Sequence, residues 1–170
     1  MMEYRIEHRG RERFLALQKT FSEGKKKDEN GGTIPEFWTE CHEKDLIAPM
    51  MMFSSKKGKS LYGLCASLKE CKKHFNYGIG VLLDEDVDQV VLTPFLERGY
   101  SIWETEPNDF VVFRCVGQDA TCLDDAWNHF FKKFSHESGY SHTGDTDFEL
   151  YPEQDENGLF CELWIPIKKK

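Results

Sequence analysis

The sequence predicts an α+β fold of two like halves, in which antiparallel strands carry helices on one face. Three observations predict it. Aromatic and apolar landmarks near the N-terminus recur in the same order in the second half of the 170-residue chain. The stretch from Asp119 to Ser135 repeats apolar residues at helical spacing. The segment Cys161 to Ile167 alternates with the period of a strand.

The duplication is read from ordered matches. Tyr4, Ile6 and Phe14 return as Tyr100, Ile102 and Phe110 at an offset of 96. Trp38 corresponds to Trp127, and Leu61-Tyr62 to Leu150-Tyr151, at an offset of 89. The last strands, starting at Phe75 and Phe160, match at 85. Shared order, more than any single match, marks a repeat. The halves run from about 1 to 83 and from 96 to 170, inside one domain spanning 1–170.

Each half then reads strand, strand, helix, strand, strand. In the first, Tyr4–His8 and Phe14–Thr20 are extended, and a loop rich in Gly and Lys follows. Thr33-Ile34-Pro35-Glu36 is a capping box with Pro in the first turn, so a helix starts there. Ile34, Phe37, Trp38 and Cys41 give it an apolar stripe. Strands follow at Leu61–Ala66 and Phe75–Leu83. In the second half, Glu106-Pro107-Asn108-Asp109 is a hairpin-type turn between Tyr100–Thr105 and Phe110–Val116. Leu123, Ala126, Trp127, Phe130, Phe131 and Phe134 form the buried face of the long helix. Asp119, Asp124 and Asp125 near its start and Lys132 and Lys133 near its end suit the macrodipole. Phe148–Tyr151 and Cys161–Ile167 complete the half. Met50-Met51-Met52-Phe53 reads as a flexible apolar loop or a cover for a groove.

Composition narrows the function. Hydrophobic residues at 39% and charged residues at 31% are ordinary for a soluble globular domain. The N-terminus has no apolar signal region and no run of 18 apolar residues occurs, so a cytoplasmic protein without membrane contact is expected. The six cysteines are read as free, mostly buried thiols. Net charge is −8 and uneven: residues 1–83 carry 15 Lys/Arg against 11 Asp/Glu, and residues 84–170 carry 7 against 19. An acidic half argues against a nucleic-acid surface and favours cationic ligands. Cys41-His42 and the Cys71 to His74 stretch complete no metal-ligand spacing. No phosphate-cradling glycine motif or nucleophile elbow is present. No metal or cofactor is expected.

The last two strands carry the candidate site. Leu163, Ile165 and Ile167 point one way, beneath the helices, while Glu162 and Trp164 point the other. The preceding strand sets Phe148 and Leu150 on one face and Glu149 and Tyr151 on the other. Two carboxylates and two large aromatics are thus expected on the sheet face without helices. If the halves pack about a pseudo-two-fold axis, that face becomes a groove, with Tyr62 and Tyr77 approaching from the other half. A carboxylate framed by rings suits a cation, each ring contributing about 0.5–2 kcal/mol. The alternative is an ordinary exposed sheet face.

The order of motifs from Tyr4 to the Lys168-Lys169-Lys170 tail resembles the GyrI-like domain, the AraC-type effector-binding family. It is carried by Phe75-Asn76-Tyr77-Gly78-Ile79-Gly80-Val81, Trp103-Glu104, Phe113-Arg114-Cys115-Val116-Gly117 and Asp125-Ala126-Trp127. Phe148-Glu149-Leu150-Tyr151-Pro152 and Cys161-Glu162-Leu163-Trp164-Ile165-Pro166-Ile167 continue it. The resemblance implies two strand-helix-strand-strand units of the SHS2 type about a pseudo-two-fold axis, with a ligand groove between them. Glu149 resembles the family's groove glutamate, and Trp164 a facing aromatic. Glu162, Tyr151, Tyr62, Tyr77, Trp103, Trp38 and Phe110 complete the expected lining. The ligand implied is a small cationic or flat aromatic molecule, bound by a stand-alone sequestering or sensing protein. Some relatives hydrolyse cyclopropane-bearing alkylators, which would make Glu149 a general acid or base. A gyrase inhibitor in the family leaves a protein partner as a third reading.

Overall fold

A computed structural model describes residues 2–68, 70–71, 73–153 and 157–170; Met1, Lys69, Lys72 and residues 154–156 lie outside the described residues. The elements run β1 (Tyr4–Arg9), β2 (Glu12–Ser22), α1 (Ile34–Glu43), α2 (Ile47–Met51), β3 (Leu61–Ser67), β4 (His74–Leu82) and α3 (Gln89–Leu96). They continue with β5 (Ser101–Thr105), β6 (Asn108–Val116) and α4 (Thr121–His129), then a π-helical turn (Phe130–Phe134) and α5 (Ser135–Ser138). Finally come β7 (Tyr140–His142), β8 (Asp147–Tyr151) and β9 (Leu159–Lys169). Helix α1 begins as its capping box requires: Thr33 Oγ1 accepts the Glu36 amide at 3.3 Å, with Pro35 in the first turn.

One antiparallel sheet runs through both halves in the order β1-β6-β9-β8-β3-β4-β2-β5, with β7 added to β9. The hairpin expected between β5 and β6 does not form, and β1 and β2 do not pair with each other either. β1 pairs with β6 of the other half, and β5 pairs with β2. The connections at Gly10-Arg11 and Glu106-Pro107 contain no positive φ. The tight two-residue hairpin turns need one, so the chain turns a corner instead and each first strand crosses to the opposite half.

The registers define the repeat. Ile6 pairs with Val111 and Ile102 with Leu15, which confirms the offset of 96. Leu15 pairs with Val81 and Val111 with Ile165, so β4 and β9 correspond at 84, not 85. Gly63 pairs with Ile79 and Glu149 with Leu163, so β3 and β8 correspond at 86, not 89. Both errors are odd, and an odd slip moves every side chain to the other face. Gly63 and Glu149 are therefore repeat mates, and they also pair with each other at the centre of the sheet.

Both faces of the sheet are buried. On one, α1, α2 and α3 cover Leu15, Ile79 and Val81, and α4 covers Val111, Leu163 and Ile165. On the other, the sheet curls over a third core of Phe14, Tyr62, Trp103, Phe110, Phe148 and Trp164. Its edges β1 and β5 stay unpaired with each other. Met50 is fully buried in the first core and belongs to α2, so the methionine run is not a loop over a groove. Phe131 is 57% exposed, because the wider π turn rotates it off the buried stripe. All six cysteines are free, and four are buried. No helix among the described residues is long and apolar enough to cross a membrane.

Phe148 holds the third core together, meeting Phe110 at 5.3 Å, Trp164 at 5.4 Å, Tyr62 at 5.4 Å and Phe14 at 6.5 Å. Phe148→Ala is expected to cost about 3–5 kcal/mol of stability, read from urea unfolding. A loss below about 1 kcal/mol would show that the face opposite the helices is not a packed core.

Candidate functional site

The predicted site residues divide between the two faces. Strand β8 points Phe148 and Leu150 into the third core, so Asp147, Glu149 and Tyr151 face the helices. Apolar side chains were expected to mark the helix side; with both faces buried, that criterion cannot tell them apart. Tyr62, Trp103, Phe110, Glu162 and Trp164 therefore stand on the face opposite Glu149, not in one groove with it. There Trp103 donates to Thr146 Oγ1 at 3.2 Å, and Glu162 is held by Arg5 at 2.8 and 3.2 Å.

That opposite face does recognise a cation, and the cation belongs to the protein. The Arg9 guanidinium lies 4.8 Å from the Phe148 ring centroid, 4.9 Å from Trp164 and 5.6 Å from Tyr62. It donates to both Glu12 oxygens at 2.7 and 3.0 Å and to Tyr62 Oη at 3.1 Å. The box is filled by the protein's own guanidinium.

On the helix face, Glu149, Tyr151, Tyr77 and Trp38 come together. Tyr77 on β4 and Tyr151 on β8 both donate to Glu149 Oε1, at 2.8 and 2.7 Å. Trp38 on α1 donates from Nε1 to Tyr77 Oη at 3.0 Å and meets the Tyr151 ring edge to face at 5.2 Å. Gly63 makes the arrangement possible. A Cβ there would stand 2.7 Å from Glu149 Oε1 and nearer still to Tyr77 Oη. Sequence reasoning passed over this glycine, although a glycine inside a strand signals close approach of another group.

Both hydroxyls converge on Oε1, and among the described residues none donates to Oε2. Glu149 as a whole is half-buried. Burial pushes the Glu149 carboxyl from its ordinary 4.5 up to about 7, against the pull of the two tyrosine hydroxyls; Asp147 adds a smaller upward push. Burial and the neighbouring carboxylate hold the Tyr77 hydroxyl protonated, so it serves as a donor. A separate cleft of about 770 Å³, lined by Lys19, Lys25, Asp28 and His74 among others, does not include Glu149.

The family described as integron-associated effector-binding protein, Cass2, matches residues 5–167. The chain belongs to this family. It is a GyrI-like effector-binding domain, and several solved structures share its fold. SAV2435, bound to tetraphenylphosphonium, is 19% identical with a TM-score of 0.77, over 98% of this chain and 94% of that one. A protein from Staphylococcus aureus described as a bacterial transcription regulation protein is 18% identical with a TM-score of 0.74, over 99% of each chain. The Vibrio cholerae integron cassette protein Cass2 is 16% identical with a TM-score of 0.62, over 97% of this chain and 95% of that one. No curated protein sequence matches the effector-binding domain described here.

The raised carboxyl sets a pH signature. Between about pH 4.5 and 7 the unfolded chain releases the Glu149 proton while the folded protein keeps it. Stability contributed below that window is therefore lost across it, and the loss is complete above about 7. Glu149→Gln has no such proton. Its melting temperature relative to the parent is expected to rise across the window and then stay level. A difference independent of pH would show an ordinary, solvated carboxyl.

Proposed function

We propose that this effector-binding domain takes up small aromatic organic cations in the groove between α1 and α4, with Glu149 as counter-ion. One observation carries the reading: a half-buried carboxylate has one oxygen pinned by two tyrosine hydroxyls and the other, among the described residues, without a donor. Trp38 and Tyr151 supply the ring surface beside it. An ionised Glu149 attracts a cation at short range, where the surrounding protein screens less than water. The family's effector-binding description and the tetraphenylphosphonium carried by SAV2435 support the same class of ligand. Admission of such a cation requires the Trp38 and Tyr151 rings to part, since they touch edge to face in the closed groove.

The same side chain would serve as general acid or base in the hydrolase reading, because its pKa near 7 suits either role. Mass spectrometry separates the two. A binder returns an alkylating probe intact, whereas a hydrolase converts it to its water adduct.

Tetraphenylphosphonium titrations over pH test the counter-ion role. Binding requires the ionised carboxylate, so affinity is expected to rise about tenfold per pH unit up to about 7 and to level off above it. Glu149→Gln should flatten this profile and weaken binding at high pH by about tenfold or more. A wild-type profile without a step near 7, or an unchanged affinity in the variant, would remove Glu149 from the site.

A further inference from the structure

A second carboxylate shares the helix-facing side of β8 with Glu149. Asp147 precedes Glu149 by two residues on the same face of β8, opposite Cys65 of β3. Two residues of strand separate the two positions by about 7 Å. The Asp147 carboxylate lies 3.2 Å from His142 Nε2, and burial pushes it above the usual carboxylate range while His142 pulls it back. Both side chains remain reachable, at 16% and 24% exposure.

An aromatic wall stands here too. Trp127 on α4, the repeat partner of Trp38, stacks on the His142 ring at 6.2 Å with an interplanar angle of 21°. Its partner in the next turn is Phe131, stacked at 5.7 Å and 18° and largely open to solvent. Each carboxylate is thus joined to an indole through one intermediary, Glu149 to Trp38 through Tyr77 and Tyr151 and Asp147 to Trp127 through His142. Asp147 influences Glu149 directly, since its charge contributes to the raised Glu149 carboxyl.

We propose that the groove is a two-point cation receptor, in which Glu149 holds one cationic centre and Asp147 a second, so that its ligands are elongated dications with charges about 7 Å apart. His142 fills the place of the second centre in the free protein, and a ligand displaces its contact with Asp147. The inference rests on the Glu149 reading and adds a specificity-determining residue to it.

The test uses calorimetry at about pH 8.5, above the Glu149 carboxyl value of about 7. Pentane-linked bis(trimethylammonium) is compared with pentyltrimethylammonium, which has the same chain and one charge. The dication is expected to bind about tenfold tighter to the wild type, and Asp147→Asn should bring that ratio to about one. Ethane and decane linkers, tested on the wild type, should both bind more weakly than the pentane linker; this arm needs no variant to fold. Equal binding of the mono- and dication, or affinity independent of linker length, would overturn the two-point receptor. If neither these cations nor tetraphenylphosphonium binds the wild type, the Glu149 reading fails and takes this inference with it.

Discussion

The antiparallel pairing of β3 with β8 sets Gly63 directly beside Glu149, and the cluster of Glu149, Tyr77, Tyr151 and Trp38 depends on that register. These two residues are repeat mates that meet at the pseudo-two-fold centre of the sheet. One half contributes a carboxylate and the other contributes space. Were the repeat perfect at this point, two carboxylates would face each other there and raise each other's pKa strongly. A glycine instead leaves room for Tyr77 and Tyr151 to reach the same oxygen. The repeat thus departs from symmetry at this central pair.

The exchange of first strands explains why so short a repeat can hold a buried acid. β1 and β5 each complete the other half's sheet, so the halves cannot separate without losing strand pairing at both ends and in the middle. The curl this produces buries an aromatic core behind the central strands. Burial on that side supports β8 from below while its other face carries the carboxylate. Desolvating Glu149 opposes folding near neutral pH, and the apolar cores on both faces offset that cost.

Carboxylates and aromatic rings meet on both faces of the sheet, with different partners. Behind it, Arg9 is fixed by Glu12, Tyr62 and three rings, which makes the guanidinium a permanent part of the core. In front, the carboxylate oxygen Oε2 has rings nearby and no resident cation donating to it among the described residues. Behind the sheet the chain's own cation closes the pairing of carboxylate and aromatic face, and in front, among the described residues, two tyrosine hydroxyls take its place.

Much of the fold was legible in the residues. Capping at Thr33, the stripe of α1, the apolar face of α4 and the alternation of β9 are local signals, read within a few turns or strand steps. The offset of 96 was legible because Tyr4, Ile6 and Phe14 lie on strands that bury the same positions in both halves. Alternation set Glu149 and Tyr151 on one face and the repeat brought Tyr77 towards it, and the structure gathers these three with Trp38. The short helices α2 and α3 escaped notice, since each spans too few turns to repeat an apolar stripe. Which face of β8 carries Glu149 was not legible, because alternation gives two sets of side chains without saying which set meets the helices. By itself, then, the sequence determined the element types, the duplication and the chemistry available on each strand, all consequences of short-range periodicity and capping. Tertiary structure decided the strand exchange, the register that pairs Gly63 with Glu149, and the dismissal of Tyr62, Trp103, Phe110, Glu162 and Trp164 to the opposite face. Those outcomes depend on pairing between residues far apart in the chain, and on both sheet faces being buried, which no local pattern records.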